Sequence, residues 1–125
     1  MEEVKNPLGE VHESVPEMRK MYIAVLDEVP DFMVPTLVAH TVLAAHIEFE
    51  REYEYEEWMD NSFKKVTLRV NQKEFDKISE MQWVFLGHEN TTLGGQKSCA
   101  VVMPMKDSER PNVLKFAKMW KPVAE

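Results

Sequence analysis

The stretch Met21-Tyr22-Ile23-Ala24-Val25-Leu26 is unbroken and apolar, and it stops abruptly at Asp27-Glu28-Val29-Pro30. A strand with one wet face would alternate polar and apolar residues, whereas a short continuous apolar run suits a central strand covered on both faces. A sheet with material packed above and below it is therefore required. A chain of 125 residues is one ordinary domain, which buries about two thirds of its unfolded surface without metals or crosslinks.

The rest of the chain supplies the layers. Pro35 opens the segment Thr36 to Ile47, and Pro is tolerated at a helix start because the first amides have no intrahelical partner. Its apolar residues run nearly all the way round, which predicts a helix buried on more than one side. The continuation from Glu48 through Glu57 carries six Glu and reads as a second, solvated helix with Phe49, Tyr53 and Trp58 as its apolar contacts. From Phe63 to Val70 the pattern alternates, Val66, Leu68 and Val70 against Lys65, Thr67 and Arg69, as in a half-exposed strand. Asn71 with Glu74 three residues on resembles a capping box for a short helix bearing Phe75, Ile78 and Met81.

Trp83 to Leu86 reads as a third strand. Leu93-Gly94-Gly95-Gln96 offers the glycine pair of a tight reversal, and Ser98 to Met103 reads as the returning strand. Asp107-Ser108 caps a last helix with Pro111 in its first turn, Val113, Phe116, Ala117 and Trp120 on its buried stripe and Pro122 at its end. The predicted class is α/β, a small mixed four-stranded sheet with helices packed on it, in the order β-α(-α)-β-α-β-β-α. Residues 1–19 show no period and read as a flexible acidic arm; residues 20–125 form the single domain.

Charge divides the chain. Residues 1–60 carry 15 acidic and 4 basic side chains, net −11, while residues 61–125 carry 7 and 11, net +4. Phosphate contacts draw on Lys and Arg, so RNA would have to meet the second half, through Lys64, Lys65, Arg69, Lys97 and Lys118. The plainer reading of both clusters is solvated faces. Cys99 is the single cysteine, so no intrachain disulfide or cysteine-based metal cluster can form, and its apolar surroundings predict an inert thiol. That usage, an acidic start and the expected absence of a spanning segment predict a cytoplasmic protein with no membrane contact.

In this order, the run into a buried helix (Val38-Ala39-His40-Thr41-Val42-Leu43-Ala44-Ala45), the strand Lys65-Val66-Thr67-Leu68-Arg69-Val70 and Asn90-Thr91-Thr92-Leu93 before a glycine turn resemble the type II peptidyl-tRNA hydrolases. The resemblance spans residues 20–121. It implies cleavage of the ester between peptide and tRNA, without cofactor or metal, where the start of the buried helix faces the polar turn before the last strand. The family's lysine-bearing stretch before the helix is here Met33-Val34-Pro35-Thr36, and its acidic and arginine-bearing turn is here Gly87-His88-Glu89-Asn90-Thr91, of which Thr91 alone matches.

The candidate catalytic residues are accordingly Thr91, His88, Asn90, Glu89 and Thr36, with Lys97, Lys65, Arg69 and Thr41 as substrate-binding candidates. His88 beside Glu89 could move a proton near neutral pH, Asn90 and Thr91 could donate to a carbonyl or phosphate, and the amides at Pro35 to Leu37 could receive an anion. His40 and His46 lie six residues apart and project to different sides of a helix, whereas His46 and Glu50 could pair. Met21, Met81, Met103 and Met119 fall at core positions. The competing function is a catalytically degenerate binding protein that engages a protein partner through the Glu-rich 48–57 segment. A homodimer would use Tyr53, Tyr55 and Trp58.

Overall fold

The computed structural model describes residues 3–5, 11–13, 17–88 and 95–122. Strand β3 (Arg19–Leu26) is its axis: Met21 to Leu26 are each no more than 2% exposed. It pairs in parallel with β4 (Lys64–Val70), Val25 opposite Arg69, and antiparallel with β6 (Lys97–Val102), Val25 opposite Cys99. The outer neighbour of β6 is β5 (Val84–His88), again antiparallel, as the glycine turn predicts. Those four strands are the expected sheet. Two short additions enlarge it: β7 (Met105–Lys106) pairs with the start of β3, and β8 (Lys118–Met119) pairs with β4. A separate antiparallel pair, β1 (Glu3–Lys5) with β2 (Val11–Glu13), lies within the arm, whose sequence shows no strand period.

Both sheet faces are covered, and alternation along β3 says by what. Val25 and Cys99 share the face of helix α1 (Val34–Phe49), whose Thr41 touches the Cys99 thiol. Helix α2 (Tyr53–Asn61) lies on the same face, Lys65 reaching over its Trp58. Tyr22 points the other way, where its hydroxyl donates to Asp107 (3.4 Å) and accepts from Arg110 (3.1 Å). A 3-10 turn (Asp107–Glu109) and helix α4 (Asn112–Lys115) sit there, with α3 (Gln72–Ser79) packed against α4 and the sheet. The capping box of α3 forms as predicted: the Asn71 side chain accepts from the Glu74 amide at 2.8 Å, and Glu74 accepts from the Asn71 amide at 2.9 Å.

Three expectations are corrected. The last helix ends after a single turn because the chain leaves to join the sheet edge, the Trp120 amide donating to the Thr67 carbonyl at 2.9 Å. Leu114 is buried in place of Phe116, and Phe116 and Met119 are exposed. Helix α1 is buried on one face only, by Val34, Leu37, Thr41, Ala45 and Phe49, while Leu43 and Ile47 stay 65% and 75% exposed. Residues Asp31–Phe49 are long and apolar enough to cross a membrane by composition, at mean hydropathy 1.4, yet here one face of the segment is packed on the sheet. Of the aromatics offered for a contact, Tyr55 and Trp58 are buried and only Tyr53 is exposed.

The buried end of β3 is held by charge. Arg19 is 8% exposed, and its guanidinium donates to Glu57 at 2.8 Å, to the Pro104 carbonyl at 3.2 Å and to Glu109 at 3.4 Å. A donated hydrogen bond from Tyr53 (2.6 Å) and then Arg19 hold the Glu57 carboxyl below the usual carboxylate range. A carboxyl whose folded pKa is depressed stabilises the fold above its unfolded pKa, and that stability is lost as pH falls through the folded value. The Glu57→Gln variant should therefore show a flatter acid limb between about pH 6 and about pH 3, read from urea midpoints across that range.

Gly87 is the second constraint. A Cβ placed on it would stand 2.3 Å from Thr41 Oγ1 and 2.6 Å from Thr41 Cγ2, so α1 lies on β5 as closely as it does because that residue has no side chain. Gly87→Ala should destabilise by about 2 kcal/mol, the cost of overpacking a dense core. Thr41→Ala in the same chain should return part of the loss, as a rise in the urea midpoint.

Candidate functional site

Parallel strands β3 and β4 end together at Leu26 and Val70, and open α/β sheets bind ligands beyond such ends. Antiparallel β6 begins at that end, so Lys97 and the last residue of β5, His88, lie there too. The register between β5 and β6 passes from Gly87 opposite Cys99 to His88 opposite Lys97. Ser98 is the extra residue of this β-bulge, and such a bulge re-aims the side chains beside it. Lys97 and His88 consequently meet, Nζ to Nδ1, at 3.2 Å.

That contact constrains the imidazole. An ammonium group has donors only, so Lys97 donates and Nδ1 accepts, which leaves the ring hydrogen on Nε2. In this arrangement His88 presents a donor, as Lys97 does. It is equipped to hold an anion or polarise a carbonyl, and a proton-accepting role at Nε2 would require the opposite tautomer. Ser98 is fully buried and its hydroxyl has no partner among the described residues. Sequence reasoning passed over Ser98, though a lone polar residue at the head of an apolar strand is a readable signal. Glu89, Asn90 and Thr91, the other candidates of this turn, lie outside the described residues.

The remaining candidates separate. Thr41 is fully buried, and its hydroxyl donates to the Leu37 carbonyl of its own helix at 2.7 Å while the side chain lies against Gly87 and the Cys99 thiol, so it is part of the helix–sheet packing. Thr36 is exposed on the side of α1 turned away from the sheet. Arg69 is at the correct end, but its Nη2 donates to Asp31 at 3.0 Å and to the Lys121 carbonyl at 2.7 Å, and its guanidinium lies 5.2 Å from the centre of the Trp120 ring. It ties the α1 entrance to the C-terminal segment. Lys65 is opposite Met21, at the far end of β4, with Nζ donating to the Phe63 carbonyl at 2.9 Å and standing over the Phe63 ring. Burial pulls its ammonium pKa down.

The anion site expected at the start of α1 is partly used. A 3-10 turn (Asp31–Met33) runs directly into the helix, so the Met33 amide donates to the Pro30 carbonyl at 2.9 Å and the Val34 amide donates to Asp31. Pro35 has no N–H to offer. Clefts of about 420 and 460 Å³ flank Arg19 at the opposite end of the sheet, but its guanidinium is already satisfied there. Among the described residues no three His, Cys, Asp or Glu side chains gather as a metal would need. His46 pairs with Glu50 (3.2 Å), as its spacing predicts, and its Nδ1 meets the Tyr55 hydroxyl at 3.0 Å.

Compared with protein-family models the sequence matches none, and compared with curated proteins it matches none.

Cys99, two residues from Lys97, is fully buried, and burial pushes its thiol up to about 12 against a smaller opposing effect of the Thr41 hydrogen bond. The thiolate is the reactive form. A thiol reagent at pH 8 should find no reactive group in the folded protein and one per chain after unfolding in urea.

Proposed function

We propose that this chain is a peptidyl-tRNA-hydrolase-like protein that holds the phosphate or ester end of its substrate at the His88–Lys97 pair. The element order of the sheet and its helices agrees with that reading. The observation that carries it is the 3.2 Å contact in which Lys97 Nζ donates to His88 Nδ1, which leaves the remaining ammonium hydrogens and His88 Nε2–H as donors side by side at the strand ends. Donors fixed in advance stabilise the charge that develops on an ester oxygen, and removing one such donor costs roughly 100-fold in rate. Glu89, Asn90 and Thr91 follow His88 directly in sequence, and this reading assigns the water-activating role to one of them. Exposed Lys118, opposite Arg69, would meet the RNA backbone, whereas Arg69 serves the fold and exposed Lys64 and Lys65 lie at the other end of β4.

A second reading follows from the acidic side chains. Glu48, Glu50, Glu56 and Asp60 are exposed along the end of α1 and α2, a surface suited to a basic protein partner. Retention of the fold without turnover would favour it.

The test is release of free tRNA from a defined peptidyl-tRNA, with tRNA binding measured at two salt concentrations. Hydrolysis by the wild-type chain that falls roughly 100-fold in His88→Ala and in Lys97→Ala supports the proposal. Binding should also weaken steeply with salt, as phosphate contacts do. A folded protein that neither binds nor cleaves would overturn it in favour of the second reading.

A further inference from the structure

The outward face of α1 is apolar and carries no partner among the described residues. Thr36, His40, Leu43 and Ile47 are spaced four, three and four residues apart, the 3.5-residue repeat of a helix that pairs with another helix. Ala39 and Ala44 flank them, and together these six residues line a shallow apolar hollow of about 470 Å³. Phe32, 80% exposed in the 3-10 turn ahead of the helix, and exposed Arg51 just after it stand four residues before Thr36 and four after Ile47, continuing the spacing of the stripe. Such a contiguous exposed patch is uncommon on a protein that works alone.

We propose that this face is the seat of a second copy of the same chain, with the two α1 helices packed antiparallel about a two-fold axis. A stripe that is its own complement suits an isologous contact, in which each residue meets its mate twice. Centred between Thr41 and Val42, the pairing sets Leu43 against the partner's His40 and Ile47 against the partner's Thr36. Phe32 then meets the partner's Arg51, a ring under a guanidinium.

Charge selects the antiparallel sense. The helix ends in an acidic run, Glu48 and Glu50 with Glu52 just beyond it, while its first turn has no acidic residue and carries the positive end of the helix dipole, and Asp31 ahead of it is paired with Arg69 at 3.0 Å. Antiparallel copies bring each acidic end to the other's positive end, whereas parallel copies would set the two acidic runs side by side. The same acidic run opposes seating on an anionic lipid surface. A contact confined to one helix face falls at the low end for specific complexes, roughly 1,000 Å² in total, so the dimer should be weak.

Sedimentation equilibrium of the full chain over about 1 to 200 µM tests this, since a contact of this size dissociates in the micromolar range. The wild type should pass from monomer to dimer. Leu43→Glu and, separately, Ile47→Glu should raise the dissociation constant about tenfold or more while leaving the far-ultraviolet circular dichroism unchanged, because both side chains are exposed. Phe32→Ala and Arg51→Ala should each weaken the dimer, and the double variant should lose less than the two combined, as residues in direct contact do. A wild type that stays monomeric at the highest concentration overturns the proposal. A dimer indifferent to Leu43→Glu overturns the surface, and strict additivity of Phe32→Ala and Arg51→Ala overturns the antiparallel register. A monomer that co-sediments with phosphatidylcholine vesicles through Leu43 and Ile47 would assign the face to lipid instead.

Discussion

Burial of β3 on both faces organises this molecule. Six consecutive side chains from Met21 to Leu26 are withdrawn from water, so elements must lie above and below them and strands on either side must satisfy their backbone groups. Parallel β4 requires a crossover, which α1 and α2 provide on one face. Antiparallel β6 requires only a return, and α3 with α4 closes the other face. The placement of His88 and Lys97 beyond the ends of β3 and β4 is inherited from this arrangement through the register of β6.

A strand so apolar needs polar anchors where it emerges. Arg19 at its entrance collects Glu57 from α2, the Pro104 carbonyl and Glu109 from the C-terminal segment. Lys20 meets Asp107 at 3.3 Å, and the Tyr22 hydroxyl lies between Asp107 and Arg110. These contacts join residues some 38 to 90 apart in sequence and fasten α2 and the last third of the chain to β3. At the opposite end Arg69 does the same for Asp31 and Lys121. One of the basic residues that a charge count assigns to a polyanion partner, Arg69, is thus spent on the fold.

Much of the architecture was legible in the residues. The alternation of Val66, Leu68 and Val70 marked β4, Asn71 with Glu74 marked the start of α3, and the glycines after Leu93 marked the return into β6. The misreadings have a common origin. Leu43 and Ile47 look like core residues on a helical wheel, and Phe116 and Trp120 look like a helical stripe, because period reports only that a face is apolar. Whether that face meets the sheet depends on where neighbouring strands stand. For α1 the sheet covers one side; for the last segment, hydrogen bonding to the edge of β4 outweighs one more turn of helix.

The candidate site divides in the same way. Residue types near His88 and Lys97 showed donors available for an anion, since histidine and lysine carry that chemistry wherever they lie. Their union at 3.2 Å, the tautomer it imposes and the stranding of the Ser98 hydroxyl come from one extra residue in the β5–β6 register. Likewise the dispersal of Thr36, Thr41, Lys65 and Arg69 to four different surroundings follows from strand direction and helix rotation. Sequence by itself determined which segments become strands and helices and which groups can donate, because propensity, capping and hydrophobic period are local. Tertiary structure alone decided which groups meet, because register and packing are settled between segments far apart in the chain.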